Sequence, residues 1–422
     1  MLMKRFGKTI LLLGTIGLTM AMTGCSKGGS DDKKNNEIEM FSTKAENISV
    51  FKEMIKEFEE ENPEIKVKFV APADAGTVLK TRLTKNDIPD VIAMGADFNF
   101  VDVAGANILE DLSEKEYSTD AIDEYKDMVT KLYEADGLLG VPYAANASGM
   151  MYNKALFEKA GIKNTPETWS EFISTMDILK KKNIQPIILP FKDAWTTMGI
   201  WNQLAGNLVS EDFVEQKKAG KVTFADTHQE AAQKFLDIVR YGQKDFLGTS
   251  YDDSNKAFAN GEAAIVLNGN FVIPEFVKNN KNVEVELVKF PVFNEANKNK
   301  VTSGVDVLLA KNKDSKKSAD CDKLISFLVE KQNAKKYIDD QFAFSALEAV
   351  EQNSLQLAGL KTDVADGNVV DYPDHTYPAG YDMAGLLQQF ALNCINGKDD
   401  KTNIEEFLKQ ADEAFDSIYM KE

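Results

Sequence analysis

The hydrophobic positions of the first quarter of the chain follow two periods in turn, one typical of strands and the other of helices. Residues 37–41 and 65–70 have the short alternation of strands, and the segment between them carries apolar residues at helical spacing. Pro63 marks the end of that helix, because proline cannot continue a helical hydrogen-bond ladder. A further strand at 90–94 follows a second helical segment. Strand, helix and strand in this order predict parallel β-α-β units with right-handed crossovers.

An almost uncharged stretch, residues 140–154, follows this first series. Pro142 cannot donate a hydrogen bond to a sheet, and small residues such as Ala144 and Gly149 allow a neighbouring backbone to approach closely. The stretch therefore fits a strand that leaves one domain and enters the next. An ordinary buried strand followed by a loop is the alternative.

Beyond this stretch the succession of strands and helices resumes. Thr168 and Glu171 have the spacing of a capping box at the start of an amphipathic helix, and Thr227 and Glu230 have the same spacing at another. Short buried strands are predicted between such helices, and the C-terminal part is mainly helical. The chain is therefore predicted to be an α/β protein. Its 422 residues exceed a single ordinary hydrophobic core, so two lobes are expected.

The N-terminal segment is predicted to be a targeting signal rather than part of the fold. Lys4, Arg5 and Lys8 precede an apolar run, residues 9–20, that is too short for an ordinary membrane span. Small residues then lead into Cys25. Residues 1–24 resemble a bacterial lipoprotein signal, which implies that Cys25 is acylated and that the polar segment up to residue 36 is a tether. A plain secretion signal is the alternative.

The charge of the chain argues against two classes of partner. Loss of the three positive charges in the signal takes the net charge from −18 to −21. Such an acidic protein is not expected to bind nucleic acid or to adsorb electrostatically to anionic lipid. The other two cysteines, Cys321 and Cys394, lie in helical patterns and are expected to be free thiols.

No motif for catalysis or for a cofactor is found. The two histidines, His228 and His375, have no partners at zinc-site spacing, and His228 is expected to face solvent. Walker, GxSxG and GxGxxG patterns are absent from the sequence. The acidic stretch 366–374 lacks EF-hand spacing, which leaves only a weak calcium site as an alternative. No enzyme activity, metal or cofactor is therefore predicted.

An ordered set of short segments nevertheless identifies a family. The segments are the Cys25 signal, residues 89–92, residues 141–154, residues 258–269 and residues 303–305. In order and spacing they resemble the extracellular solute-binding proteins of bacterial ABC importers, specifically the sugar-binding family that includes maltose-binding protein.

This resemblance implies a two-lobe, type II binding-protein fold with a hinge, in which the lobes close on a ligand. Lobe one is expected to comprise residues 37–143 plus 289–313, and lobe two residues 144–288 plus 314–422. The resemblance also implies a monomeric, lipid-anchored protein outside the cytoplasm, on a Gram-positive cell surface, that delivers a mono- or oligosaccharide to an ABC permease.

The resemblance further implies a set of ligand-binding positions, carried over only where segments match. They are Ser42, Lys44, Glu46, Asp97, Asn146, Asp193, Trp195, Asn270, Phe271, Gly304, Asp306 and Tyr377. Trp195 lies in a polar loop and is predicted to stack on a sugar, whereas Trp201 lies in an apolar helical pattern and is predicted to be a core residue. Phe98 stands where maltose-binding protein has an arginine, which puts that contact in doubt.

Two other ligand or activity classes remain open at this stage. An anionic ligand is disfavoured because the chain has only three arginines, Arg5, Arg82 and Arg240. A polyamine or another small charged solute is the alternative on the same scaffold, because Asp97 and Asp193 are among the predicted contacts. A glycoside-active lipoprotein with paired carboxylates is the third possibility.

Overall fold

The computed structural model describes residues 37–44, 47–72, 74–133, 135–378 and 380–419. The predicted signal, the predicted lipidation site Cys25, the tether and the predicted contact Glu46 lie outside these described residues. None of the helices in the described part of the chain combines the length and the apolar character that a membrane span requires.

Ten strands of the described residues form one mixed sheet. Its main path is β2-β1-β3-β8-β4-β6-β5, with β10 paired to β8 and with β7 and β9 paired to β4. The strands are β1 Glu37–Ser42, β2 Lys66–Val70, β3 Val91–Met94, β4 Val141–Asn153, β5 Gln185–Ile187, β6 Ala263–Gly269, β7 Val285–Val288, β8 Val301–Lys311, β9 Phe344–Ser345 and β10 Val369–Val370.

Helices cover both faces of this sheet. They are α1 Ile48–Glu61, α2 Ala75–Thr84, α3 Phe98–Gly105, α4 Asp123–Thr130, α5 Lys154–Ala160, α6 Trp169–Lys181, α7 Met198–Leu208, α8 Phe213–Lys218, α9 Phe224–Thr227, α10 Gln229–Val239, α11 Tyr251–Ala259, α12 Ile273–Asn279, α13 Ser318–Val329, α14 Lys331–Gln341, α15 Lys361–Ala365, α16 Met383–Ile395 and α17 Asp400–Tyr419.

The two longest strands join the two halves of the sheet. β4 and β8 pair antiparallel from Val141 with Leu309 to Ser148 with Thr302, and the register shifts between Pro142 and Ala145. Beyond this shared ladder, β4 pairs with β6 and β7, whereas β8 pairs with β3. The strand predicted across residues 140–154 is thus confirmed, and it runs from one half of the sheet to the other.

Two of the three hydrophobic cores in the described residues lie at opposite ends of these crossing strands, and the third, which includes Phe41 and Phe276, spans both halves of the sheet. One packs α1, β1 and β3 against α13 and α14, with Phe58 and Phe327 at a ring distance of 5.4 Å. The other packs α6, α7, α10, α16 and α17 around β6. Phe290 belongs to this core, and its ring lies edge-on to that of Phe172 with the ring centroids 5.1 Å apart. The apolar faces of α13 and α14 are buried against α1. The predicted lobe boundaries, which placed 314–422 in lobe two and 289–313 in lobe one, stay a prediction.

Several local predictions can be compared directly with the structure. The capping box of Thr168 and Glu171 is present at α6. Thr227 and Glu230 do not cap α10, because the capping box in this region joins Thr223 to Asp226 at α9. Among the described residues Cys321 and Cys394 are both free, as predicted.

The sequence suggested that His228 faces solvent, but the structure buries it. The side chain is 1% exposed and lies between Trp201 on one face and the rings of Phe213 and Phe224. Burial lowers the pKa of His228 to about 3, so the imidazole is neutral at physiological pH. His228 is therefore part of the core of the second lobe.

Candidate functional site

Strand directions place the candidate site where β4 and β8 cross. β3 is antiparallel to β8 and runs from Val91, opposite Lys311, to Met94, opposite Leu308, so its carboxyl end points toward the second half of the sheet. β6 is antiparallel to β4 and ends with Gly269 opposite Ser148. The carboxyl ends of strands in both lobes therefore point toward the crossing, and the loops after these ends are where open α/β sheets bind ligands.

On the first-lobe side, three predicted contacts meet around Gly95. Lys44, in the loop after β1, forms an ion pair with Asp306 on β8, and both side chains are largely buried. A Cβ atom at Gly95 would lie 3.3 Å from Asp97 Oδ2, 3.4 Å from the Asp306 carbonyl oxygen and 3.7 Å from Lys44 Cε. The structure thus brings Lys44, Asp97 and Asp306 together.

Asp97 also has a structural role. Its Oδ1 accepts hydrogen bonds from the backbone N–H of Asn99, at 2.8 Å, and of Phe100, at 3.4 Å, so it caps α3. Asp97 Oδ2, the atom that faces Gly95, is the other carboxylate oxygen. Capping and ligand contact can therefore be divided between the two oxygens.

Ser42 stabilises the loop after β1 through hydrogen bonds. It is fully buried, its Oγ accepts from the backbone N–H of Lys44 at 3.2 Å, and it donates to Asn47 Oδ1 at 3.2 Å. These hydrogen bonds hold the loop that carries Lys44, and the role of Ser42 as a ligand contact stays a prediction.

The segment after β10 adds a charged group that sequence reasoning missed. His375 Nδ1 lies 2.9 Å from Asp371 Oδ1. Burial by itself would lower the pKa of His375, but the carboxylates of Asp371, Asp374 and Asp97 outweigh it and raise that pKa to about 9. His375 is therefore an imidazolium at neutral pH, held among carboxylates at the crossing. The four-residue spacing of Asp371 and His375 in an acidic, aromatic loop was the available signal.

The same loop explains the glycine at position 304. A Cβ atom there would lie 2.5 Å from Asp371 Oδ1, 2.8 Å from His375 Cε1 and 2.9 Å from Tyr372 Cδ2. Tyr372 in turn shares a hydrogen bond of 3.0 Å with Ser148 Oγ on β4. Gly304 is thus covered by the loop. The absence of a side chain at this position allows the loop to pack closely against β8. Within the described residues, no group of three or more histidine, cysteine or acidic side chains is arranged to hold a metal ion.

Three exposed aromatic side chains lie in segments that follow strands. Trp195 is 48% exposed, Phe98 42% and Phe271 38%. Trp195 lies 4.9 Å from the ring of Tyr251, whose backbone N–H donates to Asp193 Oδ2 at 2.7 Å. The family resemblance put a contact by Phe98 in doubt, although an aromatic directly after a strand-end aspartate was a usable signal.

Two other predicted contacts are buried in this structure. Tyr377 is 7% exposed, and its hydroxyl accepts a long hydrogen bond of 3.4 Å from Trp201 Nε1. Asn270 is fully buried, and Asn146, which is half-buried, accepts from it at 3.2 Å. Trp201 is fully buried, which confirms the prediction that it belongs to the core.

Comparison with known proteins identifies the class. Residues 42–335 match the model of the bacterial extracellular solute-binding protein family. The chain belongs to this family, whose members act outside the cytoplasm and are binding proteins rather than enzymes. These points agree with the predictions from the sequence.

Individual relatives make the likeness more specific. The multiple sugar-binding protein of Streptococcus mutans is 31% identical over 362 residues, which cover 82% of this chain and 84% of that protein. The diacetylchitobiose binding protein DasA of Streptomyces coelicolor is 26% identical over 225 residues, which cover 50% and 51% of the two chains.

Solved structures share the whole fold. The apo form of RafE from Streptococcus pneumoniae superposes with a TM-score of 0.78 at 25% identity, covering 90% of this chain and 97% of that one. RafE in complex with raffinose gives a TM-score of 0.75 at 26% identity, covering 90% and 99%. The predicted two-lobe, type II fold is therefore confirmed.

Proposed function

We propose that this protein captures a mono- or oligosaccharide between its two lobes and delivers it to an ABC permease. The observation that carries the proposal is the trio of exposed aromatics, Phe98, Trp195 and Phe271, in segments that follow strands whose carboxyl ends point toward the crossing. Sugars present apolar C–H faces that stack on aromatic rings, and hydroxyls that bond to carboxylates and amides. The relatives named for multiple sugars and for raffinose support the same ligand class.

The charges at the crossing favour a neutral ligand over a polyamine. Asp306 is paired with Lys44, and Asp371 lies against the imidazolium of His375. Two of the carboxylates that could attract a polycation are therefore already neutralised by protein groups. A polycation bound to these two carboxylates would have to displace Lys44 or His375, whereas a sugar hydroxyl can bond to these pairs without breaking them.

We assign the ligand contacts and the supporting residues separately. The contacts are Lys44, Asp97, Phe98, Asp193, Trp195, Phe271, Asp306 and His375, because each is exposed or half-buried and either follows a strand or, for Asp306, lies on β8 beside Lys44. The supporting residues are Ser42, Asn146, Asn270, Gly304 and Tyr377, which are buried or bonded within the protein. Glu46 stays a predicted contact.

We also revise the proposed lobes. Lobe one comprises residues 37–143 plus 305–350, and lobe two residues 144–304 plus 369–419, since this division follows the two cores. Residues 351–368 then form a further connection between the lobes. At the N-terminus, acylated Cys25 and the tether would hold the monomeric protein at the cell membrane beside the permease.

A thermal-shift panel on residues 36–422, which form one compact unit, tests the ligand class. The panel contains raffinose, maltose, a chitin disaccharide and spermidine. A ligand at a hundred times its dissociation constant stabilises the folded protein by about 2.7 kcal/mol. We expect at least one sugar to raise the melting temperature. A shift with spermidine alone would overturn the proposal in favour of a polyamine.

A further inference from the structure

We propose that the Asn270 side chain is a positioning residue that links the ligand-facing ring of Phe271 to lobe one, and so couples sugar binding to lobe closure. The proposal rests on the function proposed above. It concerns a residue that the family resemblance places among the ligand contacts and that the structure buries completely.

The hydrogen bonds of Asn270 join three parts of the molecule. Its Oδ1 accepts from the backbone N–H of Ala147 at 2.6 Å, and its Nδ2 donates to Asn146 Oδ1 at 3.2 Å and to the Phe342 carbonyl oxygen at 2.7 Å. Both amide hydrogens are used. We call this set of contacts the Asn270 network.

The partners belong to different lobes. Asn270 directly follows β6, which pairs with the second-lobe half of β4. Phe342 ends α14, which packs against α1 in lobe one through Tyr337 and Phe51, with ring centroids 5.2 Å apart. Ala147 and Asn146 lie on β4 where this strand passes between the lobes. A single buried side chain therefore connects lobe two, the crossing strand and lobe one.

The backbone at Phe342 is fixed in an unusual conformation. Its φ is 49°, in the left-handed region that residues other than glycine rarely adopt. The carbonyl that receives the Asn270 hydrogen bond is thus held at a helix C-terminus, where carbonyl groups lack intrahelical partners. Asn270 supplies a partner from the other lobe.

Phe271 connects this network to the ligand. Its ring folds back over Gly269, where a Cβ atom would lie only 2.3 Å from Phe271 Cε1. The Phe271 ring thus contacts Gly269, the residue before Asn270, and is attached to the backbone at the residue after Asn270. The peptide of Asn270 therefore lies between two points at which this ring is held. A sugar that stacks on Phe271 fixes the peptide that carries Asn270. Rotation of the lobes about the crossing must then either keep the Asn270–Phe342 hydrogen bond as a pivot or break it.

The test uses single-molecule energy transfer between fluorophores on opposite lobes of the full mature chain. Lys85→Cys in lobe one and Lys181→Cys in lobe two are both exposed, in a Cys25→Ser, Cys394→Ser background that leaves only the buried Cys321. Asn270→Asp keeps the acceptor for Ala147 but removes both donors. We expect a broader distribution of lobe distances without ligand, and raffinose or the best sugar of the panel to bind about ten-fold more weakly, the effect of about 1.4 kcal/mol.

Three further variants separate coupling from simple structural damage. Asn403→Asp removes a donor that bonds the Phe390 carbonyl at 3.0 Å within lobe two, so it should lower stability and leave lobe distances and affinity unchanged. Phe271→Ala should weaken sugar binding without changing the ligand-free distribution. Asn270→Ser, whose short hydroxyl cannot reach Phe342, replaces Asn270→Asp if the latter does not fold.

The outcomes are distinct. If both Asn270 variants keep the parental lobe distribution, or behave like Asn403→Asp, the coupling role is refuted. If the parental protein binds no sugar, the proposed function fails, and the ligand-free distributions still decide whether the Asn270 network sets the lobe geometry.

Discussion

The two tryptophans near the second-lobe strand ends provide a sharp test, because the structure gives them opposite roles. Trp201 is fully buried, stacked on His228 at 5.6 Å and met edge-on by Phe407 at 5.5 Å. Phe407 is itself stacked on Phe390 at 4.3 Å, so the neighbours cannot move in to fill a vacated site. Trp201→Ala should therefore cost about 3–5 kcal/mol of unfolding free energy, toward the upper end of that range.

Trp195→Ala should do the reverse. The ring is 48% exposed and has one aromatic neighbour, Tyr251, at 4.9 Å. Loss of that pair should cost about 1 kcal/mol of stability or less. Loss of a stacking surface for the sugar should weaken binding by about ten-fold, which corresponds to 1.4 kcal/mol.

Urea unfolding followed by far-ultraviolet circular dichroism measures the first quantity, and titration calorimetry with the best sugar of the panel measures the second. Each variant serves as the control for the other. A stable Trp201→Ala protein without sugar affinity, together with an unfolded Trp195→Ala protein, would refute the assignment of both roles.

Three other predictions follow from the crossing and the N-terminus. Gly304→Ala should lower unfolding free energy by about 1–3 kcal/mol, because the new methyl group overlaps Asp371, and a thermal melt would contradict this if it were unchanged. The pKa of His375, raised to about 9 from an ordinary value of about 6.5, means that its stabilising effect is complete below pH 6.5 and is lost as the pH rises through 9. The melting temperature should therefore fall between pH 7 and pH 10, and His375→Gln should reduce that fall; an equal fall in both proteins would exclude His375 as its cause. Cys25→Ser should move the protein from the membrane fraction to the medium, and unchanged retention in a fractionation assay would contradict the anchor.

Local periodicity predicted much of the fold, and long-range packing accounts for what it did not predict. The strand at 140–154 and the buried position of Trp201 follow from patterns within a few residues. The position of α13 and α14 does not, since an amphipathic helix can bury its apolar face against either lobe. Their packing on α1 is a property of the assembled structure.

The candidate site shows the same division. Trp195 and Phe271 were found because they follow predicted strands, and both are exposed. Asn270 was assigned to the ligand by the family resemblance, and its partners Ala147 and Phe342 could not be foreseen because they are 123 and 72 residues away in sequence. The charge of His375 depends in the same way on Asp97, which comes from a distant loop.

The ladder between β4 and β8 also bears on how the protein unfolds. Each strand is part of the sheet in both halves of the molecule, so melting either core removes hydrogen bonds from the strands that the other core requires. Two lobes connected only by flexible linkers could unfold one after the other, but here the shared strands couple the two events. We therefore expect the protein to lose its structure in one cooperative transition, even if the lobes rotate on ligand binding as proposed above.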